Sequence, residues 1–194
     1  MQNLLEYLQQ NADISEADFQ AITELVEVFH YPKKQIITHK GEVENYIYYI
    51  HTGLVRKFFY KKNKEEAITH IARENDLISS SVSYFSREVS EYVVETLEPC
   101  TLYAMSYDNL QKLFNIGHHM DKIGRQLTLD FLLQMEIWER DRLMLEPRIR
   151  FVKFINENPE LVQRVQQRHL ASYLNMKPET FSRYKHLLRT TKTA

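Results

Sequence analysis

Cysteine is almost missing from this 194-residue chain, where Cys100 stands alone. A single thiol excludes an intramolecular disulfide framework, a cysteine-ligated zinc site and a chain-internal iron–sulfur cluster. Although 43% of the residues are hydrophobic, no apolar run is long enough to span a bilayer. The start, Met1-Gln2-Asn3-Leu4-Leu5-Glu6, has neither the basic stretch nor the apolar core of a secretory signal. A cytoplasmic protein with no membrane partner is therefore expected. Catalytic signatures are missing too. Ser79-Ser80-Ser81 has no flanking glycines of a nucleophile elbow and no base that can be paired with it, so no enzyme is expected. His118 and His119 are adjacent, and side chains one residue apart on a helix point about 100° apart, so no metal site is expected there.

Net charge is also nearly absent, at -1, but its distribution is uneven. From Pro147 onward there are ten Lys and Arg against Glu157, Glu160 and Glu179, a balance of +7. The 146 residues before it carry a balance of -8. Positive charge gathered at one end of a chain is the electrostatic footprint of nucleic-acid binding. A basic face that is merely solvated is the alternative.

Within that basic end, Gln167 to Leu188 reads as a DNA-reading helix-turn-helix. Leu170, Leu174 and Met176 supply apolar contacts from the first helix and the turn, and Phe181 and Tyr184 answer from the second. Ala171 is small where the helices must come close. Asn175 tolerates the left-handed backbone of a sharp turn. Pro178 opens the second helix at a position whose N–H would be unpaired in any case. Glu179, Thr180, Ser182, Arg183 and His186 then point outward, all able to hydrogen-bond base edges or phosphates. An ordinary helical hairpin with a polar face remains the alternative for this segment taken alone.

The rest of the chain falls into segments of different period. Leu4 to His30 reads as helix, with Ser15 as an N-cap, a stripe of Phe19, Ile22, Leu25, Val26 and Phe29, and Pro32 as its close. Short β-branched and aromatic runs follow: Ile36 to Thr38, Tyr46 to Ile50, Leu54 to Tyr60, Ala67 to Ile71, Tyr92 to Thr96 and Thr101 to Met105. Their spacing predicts an antiparallel sandwich or roll, with Asn63 at a hairpin tip. From about Met120 to Leu145 there is no proline and one glycine, Gly124. Ile123, Leu127, Phe131, Trp138 and Leu145 lie close to one face of this helix, while Leu129, Leu132, Met135 and Met144 lie elsewhere. A helix apolar around so much of its circumference needs two burial surfaces, its own β-domain and the same helix of a second copy; burial wholly within one subunit is the alternative. Beyond Pro147, Ile149, Val152, Phe154 and Ile155 form a further helical stripe, stopped by Asn158-Pro159.

Helix, β-roll, long helix and helix-turn-helix, in that order, resemble the Crp/Fnr family of bacterial transcription regulators over nearly the whole chain. Gly41-Glu42 followed by Tyr46 to Val55, with Gly53 at the turn, is similar to that family's strand–turn signature. The resemblance implies an α+β fold. Its parts would be a jelly-roll (double-stranded β-helix) domain like those that bind cyclic nucleotides over residues 1–118, a dimerisation helix over 119–146, and an all-α helix-turn-helix domain over 147–194. It further implies a homodimer on double-stranded DNA with an inverted-repeat operator, and RNA polymerase as a further partner. In the family, residues at the positions of Glu179, Thr180 and Arg183 contact bases and phosphate. Arg183 is the candidate for a bidentate contact to guanine and Glu179 for a cytosine amino group. Thr180, Ser182 and Lys185 would hold phosphates, with Gln167, Arg168 and His169 at the entry of the first helix. Lys177 and His186 complete the expected interface. Pro178 stands where better-known relatives carry a base-reading arginine, so the half-site should differ. Only Arg189 to Ala194 follow the recognition segment, so the family's β-hairpin wing is expected to be missing and the salt dependence of binding to be shallow.

The effector pocket departs from the family. Members that bind cyclic AMP use a Gly-Glu pair for the ribose and an Arg-Ser pair for the cyclic phosphate. Here those positions become Ser79-Ser80 and Ser90-Glu91. A carboxylate at Glu91 would repel a phosphate, and no arginine stands there to pair with one. Arg87 would reach in only from a rearranged loop, Ser81 adds a hydroxyl, and Gln134 is the hydrogen-bonding group available on the long helix. Cyclic AMP is therefore not expected as an effector by the usual chemistry. A different ligand or none is expected, and no cofactor. A sensor or protein-interaction module that keeps the fold without reading an operator is the competing reading.

Overall fold

Alternating apolar residues between Val26 and Ser106 build two antiparallel four-stranded sheets. A computed structural model of the chain describes residues 2–11, 13–116 and 118–191; the side chains at 2, 11, 118, 119, 127, 130, 131, 134, 135 and 187–191 fall outside that description. After α1 (Gln2–Asn11) and α2 (Glu16–Glu24) the strands are β1 (Val26–Tyr31), β2 (Ile36–Thr38), β3 (Tyr46–Thr52), β4 (Val55–Tyr60), β5 (Glu66–Ala72) and β6 (Leu77–Ile78). A short helix, α3 (Ser81–Ser86), precedes β7 (Val93–Thr96) and β8 (Cys100–Ser106). One sheet has the order β1-β8-β3-β6 and the other β2-β7-β4-β5. Such non-sequential neighbours give the crossed connections of a jelly roll.

The two-residue period of a strand explains the core. Tyr48, Ile50, Leu102 and Ala104 point one way from β3 and β8, joining Val55, Ala72 and Val94 in the interior of the roll. Tyr49, Tyr103 and Met105 point the other way, into a second cluster with Leu4, Leu8, Phe19, Ile22, Leu113 and Ile123 from the helices. Gly53 holds the turn after β3 at φ +101°, where an added Cβ would stand 2.5 Å from Cys100 Sγ and 2.6 Å from the Pro99 carbonyl. The close approach and the left-handed backbone both require glycine.

The N-terminal helical reading holds only in part. Ser15 caps α2 in a capping box with Asp18, as expected, but the helix ends at Leu25. Residues 26–31 are a strand paired to β8 from Val26↔Met105 to Tyr31↔Cys100. Val26 and Phe29 fit a helical stripe by spacing, and the long-range ladder decides against it. β6 and α3 are too short to show a period in the sequence.

The remaining helices are α4 (Tyr107–Asn115), α5 (His118–Met144), α6 (Pro147–Glu157), α7 (Pro159–Arg164), α8 (Gln167–Tyr173) and α9 (Pro178–Thr191). The chain divides into two compact units, 1–59 with 70–133, and 60–69 with 134–194, so the divide passes through α5. None of the helices among the described residues is long and apolar enough to cross a membrane.

Candidate nucleic-acid interface and effector cassette

In the second unit, α8 and α9 are joined by four residues, and Asn175 takes the left-handed conformation at φ 50°. The Asn175 N–H donates to the Ser172 carbonyl at 3.0 Å and the Met176 N–H to Ala171 at 2.9 Å, closing the end of α8. Leu170, Ala171, Leu174 and Phe181 are fully buried. Phe151 of α6 meets the ring of Phe181 edge-on at 5.0 Å, and Trp138 of α5 stacks on Tyr173 at 4.2 Å. This packing fixes the angle at which α9 leaves the unit.

The buried face of α6 differs from the expected stripe. It consists of Arg150, Phe151 and Phe154, while Ile149 is 53% exposed. Arg150 is inside because its guanidinium donates to three main-chain carbonyls, Leu174 at 2.9 Å, Arg142 at 2.6 Å and Leu145 at 2.8 Å. It thereby ties the last turn of α5 to the end of α8, and burial lowers its pKa. Lys153 pairs with Asp141 and Glu157, and hydrogen bonds from Lys153 and then Arg140 hold the Asp141 carboxyl below its usual range. Neither Arg150 nor Lys153 is therefore positioned as a simple surface cation, and the +7 balance overstates the charge offered to solvent.

Gln167, Pro178, Glu179, Ser182, Arg183 and His186 line one open concave surface. Arg168 and Lys177 are exposed beside it, and Thr180 and Lys185 are half-buried. The Arg183 guanidinium lies 5.5 Å from the centre of the Tyr184 ring. His169 departs from the expectation of a phosphate contact. It is 8% exposed, and its Nε2 is hydrogen-bonded by Arg168 at 3.2 Å. As the third residue of a short helix it turns toward the unit's interior. On the far side of α8, the Ser172 hydroxyl donates to the Glu66 carbonyl at 2.9 Å and accepts from the Ile68 N–H at 3.0 Å.

The residues expected at a dimer face are divided between different surroundings. Ile123 is buried in the helix–sheet cluster and Trp138 is stacked on Tyr173, while Leu145 is half-buried. The side chains of Leu127 and Phe131 lie outside the described residues. Among the described side chains of α5, the exposed apolar ones include Leu129 at 53%, Leu132 at 57%, Leu133 at 58% and Ile137 at 49%, with Leu143 and Met144 exposed at its end. A helix apolar on several faces cannot show by periodicity which of them turns inward.

In the first unit, the cassette between β6 and β7 is filled by the chain itself. Ser79, Ser80 and Ser90 are each 1% exposed. The Ser90 hydroxyl lies 2.7 Å from that of Ser80 and accepts from the Tyr92 N–H at 3.0 Å. The Ser79 hydroxyl donates to the Tyr46 carbonyl at 3.0 Å, and half-buried Ser81 lies 3.5 Å from the Ser79 carbonyl. Glu91, expected to face this space, is turned outward, with a 72% exposed side chain paired to Lys40 at 2.7 Å. Arg87 donates to the Glu44 and Tyr84 carbonyls and to Asn45 Oδ1, with its guanidinium over the Tyr107 ring. It braces the loop rather than an anion site. Gln134 has its side chain outside the described residues.

The carboxylate inside the cassette is Glu44, which sequence reasoning missed. It is 2% exposed and accepts from the Thr38 hydroxyl at 2.6 Å, the Tyr46 N–H at 3.1 Å and the Ser80 N–H at 3.3 Å. Burial raises its pKa, opposed by the hydrogen bonds, Thr38 first. Lys57 is also buried, donates to the Ser79 carbonyl at 3.1 Å, and is pushed down to about 8 by desolvation, with Glu44 partly opposing. Tyr84 is fully buried, its hydroxyl donating to the Met105 carbonyl at 3.2 Å. Glu42 and Glu44 stand two apart in one loop, and nothing local in the sequence tells which of them goes inside.

Comparison with known proteins agrees with this architecture. Residues 28–116 match the family described as the cyclic nucleotide-binding domain. Solved structures that resemble the chain include the c-di-GMP responsive global regulator CLP of Xanthomonas campestris, at 18% identity and TM-score 0.69, covering 92% of this chain and 93% of that one. FixK2 of Bradyrhizobium japonicum aligns at 20% identity and TM-score 0.73, covering 86% of each chain. The catabolite activator protein of Thermus thermophilus aligns at 17% identity and TM-score 0.52, covering 92% of this chain and 85% of that one. No curated protein matches. Residues 28–116 thus resemble a cyclic nucleotide-binding domain, and over most of its length the chain shares the fold of these solved regulator structures.

Proposed function

We propose that this chain is a cytoplasmic, non-enzymatic transcription regulator that binds double-stranded DNA as a homodimer and is not controlled by cyclic AMP through the cassette. Residues 1–118 would form the effector domain, 119–146 the dimer helix and 147–194 the DNA-binding domain. The observation that carries the reading is the open concave surface of α8 and α9, which presents the side chains of Glu179, Ser182, Arg183 and His186 together. A recognition helix needs this: an outward row of donors and acceptors on a rigid support, with basic residues at its edges. Exposed Leu129, Leu132, Leu133 and Ile137 on α5 support pairing with the same helix of a second copy, since water-exposed apolar rows of this kind favour burial. Against cyclic AMP stands the Glu44 carboxylate, which already accepts from the Ser80 N–H and would repel a phosphate.

The test is binding to genomic DNA fragments, followed by Arg183→Ala on the preferred site. A lost bidentate contact to guanine is worth about 1–3 kcal/mol, so affinity for that site should fall about 5- to 150-fold while low-salt binding to other sequences persists. Equal loss on all sequences refutes the assignment of Arg183. No sequence preference in the parent chain would favour the alternative, an interaction module that does not read an operator.

A further inference from the structure

The first unit also holds an apolar cavity, to whose wall the cassette contributes Phe85 of α3. About 150 Å³ lies between the N-terminal helices, the outer face of the β1-β8-β3-β6 sheet and the start of α5. Leu8, Ile22, Tyr49, Leu110, Phe114 and Ile123 are among its walls. Two of the polar groups at its edge are committed elsewhere. The Tyr49 hydroxyl donates to Asn75 Oδ1 at 2.7 Å and the Thr128 hydroxyl to the Gly124 carbonyl at 2.8 Å. Protein interiors rarely leave voids larger than a water molecule, because unfilled walls lose dispersion contacts. The space is partly open to solvent; its apolar walls offer water few partners, and a volume of this size admits one benzene-sized molecule.

We propose that this cavity is a binding site for one small, uncharged, apolar molecule, a single aromatic ring with at most a methyl and a hydroxyl group. Volume and lining set the class. Sites for drug-sized ligands are about 300–1,000 Å³, so a nucleotide is too large, and no described side chain among the walls offers a charge to bind one.

Gly124 makes the site responsive. It lies inside α5, where glycine is disfavoured, and it lines the cavity. A Cβ added there would fall 2.2 Å from Phe114 Cε1 and 2.8 Å from Cζ. The missing side chain lets the Phe114 ring lie directly on the α5 backbone, so the cavity wall is in contact with the helix. A ligand filling the space favours whichever seat of the early α5 turns gives the better fit. Since α5 continues into the second unit, the site would act on the output end; this step, unlike the binding itself, rests on the regulator reading.

The experiment uses the full chain without DNA, with benzene, toluene and p-cresol as probes. Calorimetric titration should show one molecule bound per chain. At tenfold over its dissociation constant, the best probe should raise the thermal midpoint by about 3–6 °C. The cavity-filling variants Leu110→Phe and Leu77→Phe, each shown to be folded by circular dichroism, should lose that response. Absence of binding by all three probes overturns the proposal, as does an undiminished response in both folded variants. DNA binding of the unliganded parent chain is measured separately, so failure of the regulator reading leaves the cavity result standing, and the reverse.

Discussion

Replacing Glu44 by glutamine puts an amide where three donors converge. In the parent chain one carboxylate oxygen receives the Tyr46 N–H and the other receives the Thr38 hydroxyl and the Ser80 N–H. A glutamine has one acceptor oxygen, so whichever way the amide is turned, one backbone N–H faces an NH2 group. Leaving a buried donor without an acceptor costs about 1–3 kcal/mol. Part of this is offset, because a neutral amide is cheaper to bury than a carboxylate. The net expectation is a loss of about 1–2 kcal/mol at neutral pH. Glu44→Ala deprives all three donors of their acceptor and should cost more, about 3 kcal/mol or above. Urea titration followed by circular dichroism measures both. The pH dependence gives a second check. Burial raises the Glu44 pKa above its ordinary 4.5, so in the window just above pH 4.5 the folded chain binds more of this proton than the unfolded chain does. The stabilisation is full below pH 4.5 and is lost as pH rises through the folded pKa. The glutamine side chain carries no such proton, so the stability gap between parent and Glu44→Gln should narrow as pH rises from 4.5. A glutamine variant as stable as the parent, with an unchanged pH profile, refutes the account of the filled cassette.

Two further outcomes are expected. Lys57 falls from 10.5 to about 8 in the folded chain, so between these values the unfolded chain holds more protons and stability rises with pH. The gain should approach about 1.4 kcal/mol per pH unit, and Lys57→Met should abolish that slope in urea titrations at about pH 8, 8.75 and 9.5. Arg150→Met removes charged donors from three carbonyls at about 1.5–3 kcal/mol each, offset by the released cost of burying the guanidinium. A net loss of about 2–4 kcal/mol is expected. It should be read as faster amide hydrogen exchange in α8 and α9, and unchanged protection there would contradict the role given to Arg150.

Much of this protein was legible wherever a local rule acts alone. Asn175 at the helix turn, Ser15 as cap, Pro178 at the start of α9 and Gly53 at a crowded turn each follow from the conformations those residues tolerate. The strands from Ile36 to Met105, β6 apart, show as short β-branched and aromatic runs, and the order of the segments reveals the architecture. Tertiary structure decided what depends on a partner far away in the chain. Val26 to Tyr31 is a strand because β8 offers a ladder, against a helical spacing. Glu44, not Glu91, is the carboxylate inside the cassette, because Thr38, Tyr46 and Ser80 converge on it from three separate segments. His169 faces inward, Arg150 is a buried brace, and Ile123 and Trp138 serve the chain's own cores. A side chain's type limits the environments it can accept, while burial is set by the contacts that surround it, and in a linear sequence those contacts are not yet neighbours.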